Sequence, residues 1–264
     1  MSGRRVPLWT LLVERGFCDS RSDAEARLLA REFVVDSVPF PKVAMMVVPN
    51  ARIREKVSRR QYASRGGAKL AAAIDSFGID VEGRVALDAG ASTGGFTDCL
   101  IQHGAARVYA VDTGFGQLRG SLRIDPRVVN MERRNIGSLR FGELDPALSL
   151  ITLDLSYLSL RIAVPIVHKL LRSAGDIVCL VKPLFEIEDS EVRRSGIVGS
   201  SDLYRSVLLT LGHDLRRDGL DLVALAESPI LGSGGTVEYL FHMQTERGQA
   251  ADKSVAELVD TLRY

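Results

Sequence analysis

The 264-residue sequence predicts an α/β fold in which a small α+β domain precedes a doubly wound, mostly parallel sheet. Three observations carry that expectation. From about residue 68 onward, β-branched runs alternate with segments of helical apolar spacing, the pattern of strand–helix–strand units. The segment VALDAGASTGGF takes an apolar strand through a glycine-containing loop into an apolar helix. Charge is also divided unevenly. Residues 1–69 hold 14 Lys/Arg against 7 Asp/Glu and the remainder 20 against 26, so a basic front precedes an acidic body although the net charge is only +1.

In the front domain, residues 1–58, Pro7 stands where a first helical turn tolerates it. Leu8, Leu11 and Leu12 follow at helical spacing, and Gly16 supplies a stop. Ser20 can cap a second helix running through Ala24, Leu28 and Leu29, whose Asp23 and Glu25 complement its positive end. FVVDS, VAMMVV and ARIRE then read as short strands. Residues 59–67 are basic, polar and glycine-containing, a linker feeding a helix from about Lys69 to Phe77.

The second domain, residues 68–264, follows in order. Val85–Asp88, Val108–Val111, Val128–Met131, Leu148–Asp154, Ile177–Val181, Leu222–Ala226 and Val237–Met243 read as seven strands, with an antiparallel edge near the C-terminus. Gly95–His103, Leu160–Leu171 and Ser201–Arg217 read as helices.

Composition excludes several classes. No stretch approaches the roughly 20 apolar residues of a membrane-spanning helix. The start, MSGRRVPLWTLLVERG, lacks the apolar core of a secretory signal, so the expectation is a soluble, cytoplasmic protein. Cys18, Cys99 and Cys179 are far apart, each among apolar neighbours and without a Cys-x-x-Cys pattern. Buried small hydrophobes are expected there, with no metal site and no disulfide framework. The basic front fits a polyanionic partner or a merely solvated face.

Chemistry concentrates at strand ends. Gly90, Gly94 and Gly95 follow the strand ending in Asp88, where backbone can approach a cofactor; the spacing breaks the Gly-x-Gly-x-x-Gly pattern of dinucleotide oxidoreductases, and no Walker lysine follows. Asp112, 24 residues after Asp88, ends the next strand near the interval at which a carboxylate holds a ribose hydroxyl pair; the other reading is a helix or turn cap. Lys182 and Asp154 end two further strands and should converge. Lys69 and Glu238 can complete a ring of two cations and two anions, suited to taking a proton from a ribose hydroxyl during methyl transfer. The same spacing fits a buried ion-pair network that only tunes the fold.

With SRGGAKL, LDAGASTGGFTDCL, VDTGFGQL, RNIGSL, LDLSYLSL, LVKPLFE and GSGGTVEYLF in that order, the chain resembles the TlyA family of bacterial rRNA 2′-O-methyltransferases, long labelled haemolysins. Its second half is similar to the FtsJ group. The resemblance implies a Rossmann-like class I methyltransferase domain with S-adenosyl-L-methionine as cofactor, and a small S4-like RNA-binding domain in front. It implies a catalytic tetrad of Lys69, Asp154, Lys182 and Glu238. Asp88, Gly90, Ser92, Gly94, Phe96, Asp112 and Asn135 match cofactor-binding positions, Asn135 near the adenine. Arg5, Arg21, Lys42 and Arg65 fall where the family places RNA-contacting cations, and Arg59 and Arg60 add charge along the linker. Phosphate contacts of that kind give affinity and orientation rather than base identity.

The family's targets imply cytidine in folded rRNA or ribosomal subunits, with no stable protein partner evident and no membrane. Departures from its pattern are Arg31 and Ser37, where glycines are usual, and DSEVRRSGIV with Arg193 and Arg194. Two other readings are a non-catalytic RNA-binding assembly factor that keeps the fold, and a membrane-acting haemolysin. Against the latter, the amphipathic AADKSVAELVDTLRY is short and expected to pack on its own domain.

Overall fold

A computed structural model describes the chain except residues 1–4, 19, 30–32, 37, 39–40, 56–61, 141, 188–199, 233–234, 246–253 and 263–264. Arg31, Ser37, Arg59, Arg60, Arg193 and Arg194 therefore lie outside the described residues. The chain divides into two compact units, Met1–Gln61 and Tyr62–Tyr264.

In the first unit, strand β1 (Val6–Pro7) pairs antiparallel with β3 (Met46–Val47), and β2 (Phe33–Val35) with β4 (Ile53–Glu55). Helix α1 (Leu8–Glu14) has Pro7 as its N-cap, one position earlier than expected, because Pro7 is held in the β1–β3 pair. Gly16 ends that helical segment at φ +72°. Helix α2 (Arg21–Leu29) starts where Ser20 Oγ accepts the Asp23 N–H at 3.2 Å. Leu8, Leu12, Ala24, Leu28 and Phe33 form the unit's own core. The VAMMVV run contributes only two strand residues, since turns closed by Met45 N–H to Lys42 and Ala51 N–H to Val48 bend the chain on either side.

The second unit carries helix α3 (Arg65–Phe77), then β5 (Val85–Ala89), α4 (Gly95–Gln102), β6 (Arg107–Asp112), α5 (Gly120–Arg123), β7 (Val128–Glu132), β8 (Leu148–Leu153), α6 (Leu160–His168), β9 (Leu171–Val181), α7 (Pro183–Glu186), α8 (Ser201–Arg217), β10 (Asp221–Glu227), β11 (Tyr239–Gln244) and α9 (Val255–Val259). All seven expected strands join one sheet in the order β10-β11-β9-β8-β5-β6-β7. Six run in the same direction, and β11, between β10 and β9, is antiparallel to both neighbours. This is the Rossmann-like arrangement.

Period-two alternation buries both faces. Leu87, Ile151, Ile177 and Phe241 pack toward Val164 of α6, Leu208 of α8 and Val255 of α9. Ala86, Val108, Leu150 and Leu240 pack toward Leu70 of α3 and Cys99 of α4. Helix α9 thus packs on its own domain, as expected, and is opened by a Ser254/Glu257 capping box. All three cysteines are buried, and none is in a disulfide.

Three boundaries shift. Helix α3 begins at Arg65, not near Lys69, because Ser64 caps it and accepts the Gly66 N–H; the last three residues of the expected linker are therefore helical. Helix α6 stops at His168 and β9 starts early at Leu171, which pairs with Leu148. The last strand starts at Tyr239, leaving Val237 and Glu238 in the connection before it.

The sequence runs outward through β5, β6 and β7, then returns to place β8 on the other side of β5. At such a reversal the loops after the two central strands diverge and leave a crevice at their carboxyl ends. The Gly90 loop and Asp154 therefore emerge side by side, and Asp154 N–H donates to the Ala89 carbonyl at 3.0 Å.

Candidate active site

The glycine-rich loop is shaped by close approach. Gly90 has φ +88°, and a Cβ there would lie 2.4 Å from the Asp154 carbonyl oxygen, so only glycine fits. Ser92, a non-glycine residue at φ +47°, donates its N–H to Asp112 Oδ2 at 2.8 Å, while Asp112 Oδ1 accepts the Gly114 N–H at 2.6 Å. One carboxylate thus ties together the loops after β5 and β6, and each oxygen keeps a lone pair for a ligand.

A cleft of about 520 Å³ opens above these loops, within the range of small-molecule sites. Gly90, Ser92, Asp112 and Asn135 line it, and so does Asp154. The other three expected cofactor residues do not line it. Asp88 is 0% exposed, with Thr97 Oγ1 donating to it at 2.6 Å and Thr152 Oγ1 at 3.2 Å. Burial pushes its carboxyl up to about 7 despite those hydroxyls, and the nearby Asp154 charge adds to the rise. Gly94, at φ +95°, caps α4 and packs against Leu118 and Leu122, and Phe96 is buried in the core under the loop. These three shape the loop from beneath.

Sequence reasoning missed Thr113, Gln117, Arg134 and the segment Leu155–Leu158, which line the same cleft. Gln117 accepts from Ser92 Oγ at 3.2 Å. Its own segment is pinned by Glu132, which takes the Gln117 N–H at 3.0 Å and the Arg123 guanidinium at 2.6 Å. Although desolvation opposes it, the N–H groups of Gly116 and Leu118 with Arg123 and Asn130 hold the Glu132 carboxyl down to about 2. The motifs VDTGFGQL, RNIGSL and LDLSYLSL carried the signal for these positions.

Lys69, Asp154, Lys182 and Glu238 form two ion pairs. Lys69 is held by glycine-to-glycine packing of two helix starts: a Cβ on Gly67 would lie 2.7 Å from the Gly95 carbonyl, and one on Gly95 2.2 Å from Ser64 Oγ. That draws α3 onto α4 and sets Lys69 one turn in, where its Nζ pairs with Glu238 Oε2. Both are buried, 8% and 5% exposed. Gly232 leaves room for that carboxylate, since a Cβ there would lie 2.3 Å from Glu238 Oε1.

Lys182, the N-cap of α7, places Nζ 2.6 Å from Asp154 Oδ1, at an angle of an ion pair rather than a hydrogen bond, and donates to the Leu155 carbonyl at 2.9 Å. Asp154 Oδ2 points toward the first turn of α3, 3.5 Å from where a Cβ of Gly66 would sit. Lys182 and Glu238 line a second cleft, about 200 Å³, walled by Tyr157, Phe185 and Tyr204. Ser156 and Tyr157 line both clefts, so the Asp154–Lys182 pair lies where the two adjoin.

Among the described cations, Arg5, Arg21, Lys42 and Arg65 are exposed. Arg21 lies 4.9 Å from the Trp9 ring centroid and pairs with Glu25 at 2.8 Å. Among the described residues no group of three His, Cys, Asp or Glu could hold a metal ion, and no helix is long and apolar enough to cross a membrane.

Residues 62–245 match the FtsJ-like methyltransferase family. Across 94% of this chain and 92% of that protein, the sequence is 38% identical to the Mycobacterium tuberculosis protein named 16S/23S rRNA (cytidine-2'-O)-methyltransferase TlyA. The chain belongs to the TlyA family. A Brachyspira hyodysenteriae relative named Hemolysin A is 39% identical over 86% of this chain and 95% of that one. A solved structure from Streptococcus thermophilus, also bearing a hemolysin name, matches with TM-score 0.70 at 33% identity, covering 97% of this chain and 95% of that one. The TlyA-family chain is thus a methyltransferase whose methyl donor is S-adenosylmethionine. The larger cleft fits that donor in kind: a glycine whose Cβ would fill the cradle, and a strand-end carboxylate beside it.

Proposed function

We propose that this TlyA-family chain transfers the methyl group of S-adenosylmethionine to the 2′-hydroxyl of a cytidine in folded ribosomal RNA, with Lys69, Asp154, Lys182 and Glu238 as its catalytic tetrad. The observation that carries the reading is Lys182 Nζ, 2.6 Å from Asp154 at the junction of two clefts. The name of the M. tuberculosis relative supports the choice of rRNA and of cytidine.

A ribose hydroxyl is a poor nucleophile and must lose its proton as it attacks. In its neutral form Lys182 accepts that proton, oriented by Asp154 and by the Leu155 carbonyl. Lys69 and Glu238 fix the wall behind it. The bound cofactor supplies an electrophilic methyl group on sulfur. Gly90, Ser92, Asp112 and Asn135 would hold it, Asp112 by its ribose and Asn135 by its adenine, while Asp88, Gly94 and Phe96 support the loop. Holding donor and acceptor in line removes most of the entropic cost of bringing them together.

The first unit, Met1–Gln61, acts as an S4-like RNA grip. Arg5, Arg21 and Lys42, with Arg59, Arg60 and Arg65 beyond them, contact phosphates and orient the substrate, and folded RNA presents a target nucleotide turned out of its stack.

The test is incubation of purified protein with rRNA or ribosomal subunits and a labelled methyl donor, followed by mass-spectrometric mapping of ribose methylation. A 2′-O-methylcytidine dependent on the protein is the expected product. Methylation only on a base, or tight subunit binding with no transfer, overturns the reading.

A further inference from the structure

Glu186 closes LVKPLFE, yet it lines neither cleft and belongs to neither ion pair. It is nonetheless a carboxylate only 3% exposed, and a buried carboxylate is costly unless its oxygens are occupied. They are occupied by a different segment. Ser159 Oγ donates to Oε2 at 2.6 Å, and the Leu160 N–H donates to Oε1 at 2.8 Å. Ser159 is the N-cap of α6, so Glu186 satisfies a free N–H at that helix start and lies at the positive end of its dipole.

The segment it grips is the one that lines both clefts. Residues 154–160 are fastened at their front by Lys182, through Asp154 Oδ1 and the Leu155 carbonyl, and at their back by Glu186. Lys182 and Glu186 bracket α7, a single turn. Between the fastenings stands Tyr157, 92% exposed and at φ +69°, a conformation that costs a non-glycine residue energy and persists only where its surroundings impose it. Its ring lies 5.4 Å from that of Phe185, the residue before Glu186.

We infer that Glu186 is a positioning residue: a two-hydrogen-bond clasp that fixes the 154–160 segment against α7, and so sets Lys182 and the aromatic wall of the acceptor cleft. This rests on the ribose-methylation reading. The clasp acts through hydrogen bonds, so an amide of the same shape preserves it, whereas truncation releases the segment. Misplacing reacting groups by about 1 Å can cost about 100-fold in rate.

The experiment compares wild type, Glu186→Ala, Glu186→Gln and Ser159→Ala by steady-state methyl transfer to rRNA, S-adenosylmethionine affinity by calorimetry, and hydrogen exchange of peptides covering 155–160. For Glu186→Ala, kcat/KM for RNA should fall by about 10- to 100-fold, cofactor affinity should stay within about twofold, and the 155–160 amides should exchange faster. Glu186→Gln should lie within about threefold of wild type with unchanged exchange. Should Glu186→Ala fail to fold, Ser159→Ala, which removes one of the two bonds, should still lose about threefold in kcat/KM. Wild-type kinetics in Ser159→Ala and Glu186→Ala, a glutamine variant as impaired as alanine, or equal loss of cofactor binding each overturn the clasp. Wild-type protein that methylates no ribose overturns the underlying function instead, and the exchange data still report whether the clasp exists.

Discussion

Gly90 and Asp154 meet backbone to backbone just beyond the carboxyl ends of the two central strands, with the Gly90 hydrogen facing the Asp154 carbonyl where a Cβ would come within 2.4 Å. The contact couples the Gly90 loop to the Asp154–Lys182 pair, because the residue whose carbonyl crowds Gly90 is the one whose side chain pairs with Lys182. Gly90→Ala must displace one of the two loops and also adopt φ +88°. We expect it to weaken S-adenosylmethionine binding by at least about tenfold and to lower stability by about 1–3 kcal/mol. Calorimetry and thermal unfolding check both, and wild-type affinity in a folded variant would contradict the coupling.

The Lys69–Glu238 pair makes a different prediction, because both partners are buried and removing one strands the other. Glu238→Leu or Lys69→Met alone should destabilise the protein by about 3 kcal/mol or more. The double replacement Lys69→Met with Glu238→Leu should cost less than the two single changes summed. Chemical denaturation of the three variants measures it. Strict additivity would mean the pair is not coupled.

Stability should depend on pH through two carboxylates of opposite sign. Burial raises Asp88 from 3.8 to about 7, so the folded state binds its proton more tightly than the unfolded chain does. Stability should therefore decline as pH rises from about 4 to about 7 and level off above, with a slope of at most about 1.4 kcal/mol per pH unit from this group. Asp176 behaves oppositely. Desolvation would raise it, but hydrogen bonds from His242, Gln244 and Arg84 outweigh that and hold it well below 3.8. Its contribution is complete above 3.8 and is lost as pH falls below that value. Asp88→Asn should remove the decline between pH 4 and 7 while leaving the acid loss; a wild-type slope in that variant would contradict the assignment.

Much of this architecture was legible in the residues. The central strands are near-continuous apolar runs because helices cover both faces of the sheet, and a charged residue ending such a run can face only the crevice, which is how Asp154 and Lys182 stood out. What was not legible depended on tertiary contacts. The start of α3 is set by Ser64 and by Gly67 lodging against Gly95, 28 positions on. The early start of β9 depends on Leu171 finding Leu148. Asp88 reads as a ligand by its place at a strand end, but Thr152, 64 residues away, occupies one of its oxygens. The left-handed backbone of Tyr157 has no local signal, since a tyrosine does not ordinarily adopt it.

In the proposed reaction Lys182, beside Asp154, takes the proton of the attacking ribose hydroxyl. The direct measurement is single-turnover methyl transfer to rRNA by Lys182→Ala under saturating cofactor, with the product mapped by mass spectrometry and cofactor affinity measured in parallel. A loss of at least about 100-fold in rate is expected, with S-adenosylmethionine affinity within about twofold of wild type. Ribose methylation at the wild-type rate in that variant would contradict it.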